Sequence, residues 1–261
     1  MASFNKGFCA IMQPTYLPWA GYFDLIDQTE IFVFLDNVQV VKRDWDIRNR
    51  IKTSAGELFL TVPIRKTHSR NETLFSNACL ADDTRWKRNH LTSIRYAYSK
   101  AQFFDPIYSI LEEILLKDWR TLSELNSGII MRIAEGLKFS ARFAFASRLT
   151  GIAGKRDELL ASICKSIGYS RYLSPQGSSA YIEAEEPGGA IVRNGIDLFY
   201  MSYTQPIYQQ LHGPFLSHLS VIDLLFNYGF ERGAEVIRSG RSDPLHFLEF
   251  RRMQPISGAA I

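Results

Sequence analysis

The sequence predicts an α/β fold, a mainly parallel, Rossmann-like sheet flanked by helices and carrying a helical insertion or cap. Three patterns predict it. Short apolar runs rich in β-branched and aromatic residues are unbroken rather than alternating, as in strands buried on both faces. Amphipathic stretches with helical spacing separate those runs. A long helical block, 82–139, interrupts the alternation. No repeat, low-complexity tract or proline-rich linker divides the chain, so 1–261 reads as a single α/β domain with 82–139 inserted in it.

"GFCAIM" (7–12) is short, apolar and stopped by Gln13-Pro14, a first buried strand. "AGYFDLIDQ" follows with helical spacing, and "EIFVFLDNV" (30–38) is a second strand ending at Asp36-Asn37. "RIKTSAGELFLTVPI" (50–64) alternates about Ser54-Ala55-Gly56 and reads as a hairpin, and 66–77 reads as a polar loop. Three helices follow, with Asp82-Asp83-Thr84, Pro106 and Thr121 near their starts. "RFAFASRL" returns to strand character, "KRDELLASICKSIG" is a helix closed by Gly168, and "RYLSPQGSSAYI" is a loop leading into a short helix. "IDLFYMSY" is another strand, and "PFLSHLSVIDLLFNYG" and "ERGAEVIRSG" are two helices each ended by glycine.

With 261 residues, 46% of them hydrophobic, the chain has material for a substantial core. Its net charge of +3 is mild and argues against nucleic acid as the main partner. Cys9, Cys79 and Cys164 are odd in number and far apart, which speaks against a disulfide framework or a thiolate metal site and for a reducing cytoplasm. No window has the ~18 apolar residues of a membrane span.

In an open α/β sheet ligands sit beyond the carboxyl ends of the strands. Two loops qualify. "QPTYLPWAGY" (13–22) is either a stiff apolar lead into a helix or a preformed pocket wall, in which Gln13 and Tyr16 supply hydrogen bonds and Trp19 and Tyr22 flat faces for a sugar or base. "DNVQVVKRDWDIRNRIK" (36–52) gathers Lys42, Arg43, Arg48, Arg50 and Lys52 around Trp45 and Asn49. It is either a solvated charged face or a diphosphate grip, with Gln39 beside it.

Elsewhere, His90 shares a helix face with Trp86 and neighbours Lys87; it reads as a packing residue or as a general base near neutral pH. Ser174 and Gly177 mark a turn able to offer N–H groups to a phosphate. His212 precedes a helix on which Ser220, Asp223 and Asn227 share one face, as a buried network or a site edge. The P-loop, dinucleotide-binding, nucleophile-elbow and zincin motifs are absent, and no metal-ligand spacing stands out.

Six blocks in order, "QPTYLPWAGYFDLI", "DNVQVVKRDWDIRNRIKT", "LTVPI", "WKRNHLTSIRYAYSKAQFF", "YLSPQGSSAYI" and "PIYQQLHGPFLSHLSVIDLLFNYG", make the sequence resemble the WbqC-like family of bacterial O-antigen and surface-polysaccharide clusters. The resemblance covers nearly the whole chain, 8–229, and implies transfer of a glycyl or other acyl group to an amino sugar. Pro175 and Gln176 depart from the glycine-rich turn usual in that family. In layout the first strand, turn, helix and strand are also similar to adenylate-forming nucleotidylyltransferase-like folds. Those carry paired histidines in the first turn, where this chain has Trp19 and Tyr22.

The resulting expectation is a cytoplasmic enzyme that forms an amide on the amino group of a nucleotide-linked, dTDP-type, amino sugar. His90 is its base, Asp36 or Asp223 orients the base or the amine, and Asn49 or a lysine stabilises the oxyanion. Candidate donors are a free amino acid with ATP and Mg, a thioester on coenzyme A or a carrier protein, and a charged tRNA. The alternatives are an ATP-dependent amide ligase and a non-catalytic sugar-nucleotide-binding protein.

Overall fold

The structure, a computed structural model, describes residues 7–41, 44–65 and 73–253. In chain order its strands are β1 (Cys9–Met12), β2 (Ile31–Phe34), β3 (Arg48–Thr53), β4 (Gly56–Thr61), β5 (Arg142–Phe145), β6 (Arg171–Ser174), β7 (Asp197–Tyr203) and β8 (Arg241–His246). Its helices are α1 (Ala20–Asp27), α2 (Arg85–Tyr98), α3 (Phe104–Leu116), α4 (Leu122–Gly136), α5 (Arg156–Ser166), α6 (Ser179–Ile182), α7 (Gly189–Arg193), α8 (Val221–Ser239) and α9 (Phe247–Met253).

Six strands form one sheet in the order β5-β2-β1-β6-β7-β8. All neighbours pair in parallel except β8, which lies antiparallel beside β7. The α/β expectation therefore holds. Strand order reverses between β1 and β6, the place where open sheets of this kind part to admit ligands. These two strands pair only at Cys9 and Tyr172.

Alternation along each strand explains why both faces are covered. Cys9, Ile11, Ile31, Val33 and Leu35 enter one core with α5, α7 and α9, while Ala10, Phe32 and Phe34 enter the other with α1, α4 and α8. Helix α1 is further tied down by Arg241, whose Nε donates to Asp24 Oδ1 at 2.8 Å, and by Arg238, whose guanidinium grips Asp27 at 2.8 Å.

The hairpin β3–β4 stands apart from the main sheet, in the register Arg48–Thr61 to Thr53–Gly56. Between it and β5 lie α2, α3 and α4, the helical block read from the sequence. Thr121 caps α4 through a reciprocal pair with Glu124.

The end of the chain differs from the sequence reading. Residues 214–219, expected as the start of a helix, are irregular, and the two expected helices are one element, α8, bent at Gly229 (φ 67°, ψ −174°). Only glycine adopts that backbone readily, and the Phe103 ring fills the space of a side chain there, 2.8 Å from an added Cβ. Strand β8 and α9 then complete the sheet edge, a turn of chain that no local pattern announced.

Candidate active site

A cleft of about 460 Å³ opens beyond the carboxyl end of β1, within the ~300–1,000 Å³ typical of small-molecule sites. One wall is the elbow between β1 and α1, with Met12, Thr15, Pro18, Trp19 and Tyr22; the other is Trp45, Asn49 and Arg50 of β3 and the turn before it, with His218. The two loops singled out in the sequence thus face one another across a single opening.

Backbone bonds knit the walls together. Tyr16 N donates to Trp45 O (3.1 Å), Ser220 N to Arg50 O (3.0 Å) and Val221 N to Pro18 O (2.9 Å). Side chains of β3 complete the job. Both N–H groups of Asn49 Nδ2 are spent on the carbonyls of Tyr16 and Leu17 (3.2 and 2.8 Å), which fixes Leu17 in a left-handed conformation (φ 44°). Arg50 Nε and Nη2 donate to the carbonyls of His218 (3.4 Å) and Ser217 (3.0 Å), and Nη1 to Glu57 (2.7 Å). Lys52, a residue 2% exposed, donates through Nζ to Gln210 Oε1 and to the carbonyls of Gly213 and Pro214.

Strand β3 is therefore the spine that holds the elbow and the 210–218 segment in place. This corrects the phosphate and oxyanion roles read for Lys52 and Asn49: the three donors of the ammonium and both amide N–H groups are already used. Arg50 keeps two of its five donors for a ligand.

Trp19 lies at the centre. Its ring packs edge-on against Tyr203 (5.5 Å between centroids) and tilted on His218 (5.0 Å). It also covers Gly21, where an added Cβ would fall 2.3 Å from the indole, so the "PWAG" spacing has a steric reason. Tyr22 donates to Gln13 O at 2.9 Å and closes the floor. His218 itself is exposed and held at φ 57°, a strained conformation of the kind that clusters at functional sites. Sequence reading passed over His218, a lone histidine in "FLSHLS" whose only local signal is its proximity to the polar start of α8.

The other candidates lie elsewhere. His90 is buried, with Nδ1 2.9 Å from the Tyr16 hydroxyl, its ring on Trp86 and a further bond to the Thr61 backbone. Burial pushes it down to about 4. Such a ring braces the elbow from behind and holds no proton near neutrality.

Asp36, 2% exposed, accepts from Ser123 Oγ (3.1 Å), Ser147 N (2.8 Å) and Ser147 Oγ (2.7 Å), and lines a separate 400 Å³ hollow at the ends of β2 and β5. Asp223 is wholly buried between the hydroxyls of Tyr98 and Tyr208, each at 2.9 Å. Burial raises its carboxyl above the usual range, while the two phenols and Lys52 pull it back. Lys87 Nζ donates to Lys117 O (2.8 Å), joining α2 to the end of α3. His212 Nε2 sits 2.6 Å from Ala97 O. Gln13 is half-buried at the mouth of β1, and Gln39 is exposed and bridges Leu74. Ser174 is buried at the end of β6 and Gly177 exposed in the turn after it. Lys42 and Arg43 lie outside the described residues, as does most of the expected 66–77 loop. No group of three or more His, Cys, Asp or Glu able to hold a metal ion occurs among the described residues.

The placement of His90 has a measurable consequence. Its folded value near 4 lies below the ordinary 6.5, so between these pH values the unfolded chain takes up a proton that the folded chain refuses. Stability contributed by the neutral ring is present above that window and falls by about 3 kcal/mol as pH drops through it. Asp46 has the opposite sign: burial raises it from 3.8 to about 6, so its contribution falls as pH rises between those values. The two contributions oppose one another between pH 4 and 6. Relative to wild type, His90→Gln gains stability as pH falls from 6.5 to 4 in urea unfolding; parallel curves would refute the assignment.

Comparison with known proteins identifies the family. The profile of the WbqC-like protein family matches residues 13–235. An uncharacterised protein of Mycobacterium tuberculosis, Rv1507c, is 35% identical over 224 residues, covering 85% of this chain and 94% of its own. No solved structure matches the chain. Among the described residues, no helix is long and apolar enough to cross a membrane.

Proposed function

Since the chain belongs to the WbqC-like protein family, and its cleft brings stacking rings, a guanidinium and an accessible imidazole together, we propose that it is a cytoplasmic enzyme forming an amide on the amino group of a nucleotide-linked amino sugar. The family resemblance supplies the amino-sugar chemistry. The observation that carries the reading is the His218 ring resting on Trp19, 5.0 Å between centroids, at the opening of the cleft.

A pyranose stacks its apolar face on Trp19, and the diphosphate reaches the two free donors of Arg50 at the rim. The acceptor amine attacks an acyl carbon as a neutral nucleophile, so its proton must leave as the C–N bond forms. His218 takes that proton. The donor's leaving group departs with its bonding electrons as the tetrahedral carbon collapses back to a carbonyl, which leaves the amide. His90, Lys52 and Asn49 act only by holding the walls.

Mass spectrometry tests this directly. Wild-type protein incubated with a dTDP-linked amino sugar, glycine, ATP and Mg should yield the sugar nucleotide extended by one glycyl residue. Release of AMP or ADP identifies a ligase, whereas product formed only with a coenzyme A thioester, an acylated carrier protein or a charged tRNA identifies a transferase. Sugar-nucleotide binding without product from any of these donors would make the protein a non-catalytic binder.

A further inference from the structure

We propose that the outer face of the β3–β4 hairpin is the nucleoside diphosphate subsite, with the base stacked on Trp45 and Phe59 and the phosphates held between Arg48 and Arg50; this rests on the sugar-nucleotide reading of the adjoining cleft. Two large exposed rings sit together here, Phe59 of β4 and Trp45 of the turn that leads into β3. Trp45 is 46% and Phe59 42% exposed, their centroids 6.3 Å apart and their planes tilted by 30°.

The strand register puts cations on the same face. Arg48 pairs with Thr61 and Arg50 with Phe59, so both side chains project to the side that carries the Phe59 ring. The Arg48 guanidinium lies over Phe59 at 4.8 Å and that of Arg50 over Trp45 at 5.8 Å. Arg48 has no carboxylate partner among the described residues, and Arg50 has one, Glu57. Charge and shape together favour an anionic aromatic ligand, since rings alone would suit any apolar partner and cations alone any anion.

Continuity with the cleft sets the polarity of the ligand. Trp45 and Arg50 belong to both surfaces. A molecule with its sugar on Trp19 and its base on Trp45 and Phe59 passes its diphosphate over Arg50, the guanidinium between them. Glu57 is the group that a phosphate displaces from Arg50 Nη1.

Calorimetric titration with dTDP, UDP and thymidine tests the subsite without any reaction. Arg48→Ala should weaken dTDP and UDP about tenfold and leave thymidine unchanged, whereas Phe59→Ala should weaken all three about tenfold. Glu57→Gln should tighten dTDP and UDP only. Phe59→Leu keeps the apolar contact of the hairpin and, lacking a π face, should weaken binding as alanine does. If dTDP-sugar still binds wild type while Arg48→Ala, Phe59→Ala and Phe59→Leu bind dTDP as wild type does, the subsite is refuted and the cleft stands. If no sugar nucleotide binds wild type, the proposed function falls as well. A dimer dissociated by Phe59→Ala, with dTDP binding unchanged, would assign the rings to a second copy and overturn the proposal.

Discussion

Replacing His218 by asparagine is expected to lower the rate of amide formation by about 10²–10⁴-fold, the ordinary worth of a positioned general base, with the unfolding midpoint unchanged. Asparagine is the informative choice because the residue sits at φ 57°. Among non-glycine residues asparagine tolerates that conformation well, so the substitution removes the imidazole without adding backbone strain. The side chain is exposed and its described ring contact is with Trp19, so little packing is lost. Free imidazole added to the variant should restore part of the rate, a recovery that a merely structural role would not show. A variant as fast as wild type would remove His218 from the chemistry.

Asp223→Ala is expected to have the largest effect on stability, about 3–5 kcal/mol, the usual cost of removing one member of a buried charged network. The carboxylate is fully buried, and it is the acceptor for both Tyr98 and Tyr208. Tyr98 is also the acceptor for Lys52 N at 3.1 Å, and the Lys52 ammonium holds the Gln210 side chain and the carbonyls of Gly213 and Pro214. Alanine would leave two phenols without an acceptor and the lysine without its nearby counter-charge. Asparagine keeps one acceptor oxygen and should cost roughly half as much. Urea midpoints read both values, and a loss below about 1 kcal/mol for alanine would show that the network is not a supporting element. The sequence suggested Asp223 as an orienting group in the reaction. Its orienting work is done on the protein, since it steadies the segment that delivers His218.

Much of this arrangement was legible in the chain. Unbroken apolar runs marked β1, β2 and β7 because strands covered on both faces need no polar side. Pro14, Pro18, Trp19 and Tyr22 marked a wall because stiff and aromatic residues between a strand and a helix have to pack or bind, and here Trp19 and Tyr22 line a cleft. The basic stretch was harder to read. Composition shows that Arg50 and Lys52 are cations, but register and burial decide whether a cation meets solvent or a carbonyl, and both here hold the 210–218 backbone. His90 misled for the same reason: four-residue spacing from Trp86 puts the two on one helix face without saying that the face points inward. His218 could not be found from its neighbours, since its partner Trp19 lies about three quarters of the chain away.

The most direct test of the cleft uses the four tryptophans as reporters. In an NMR titration of the indole N–H signals with a dTDP-linked amino sugar, Trp19 and Trp45 should shift together and saturably, while Trp86 and Trp119, which line a different hollow, stay in place. Shifts confined to Trp86 and Trp119, or no shift in any of the four, would contradict the assignment of this cleft to a nucleotide-linked sugar.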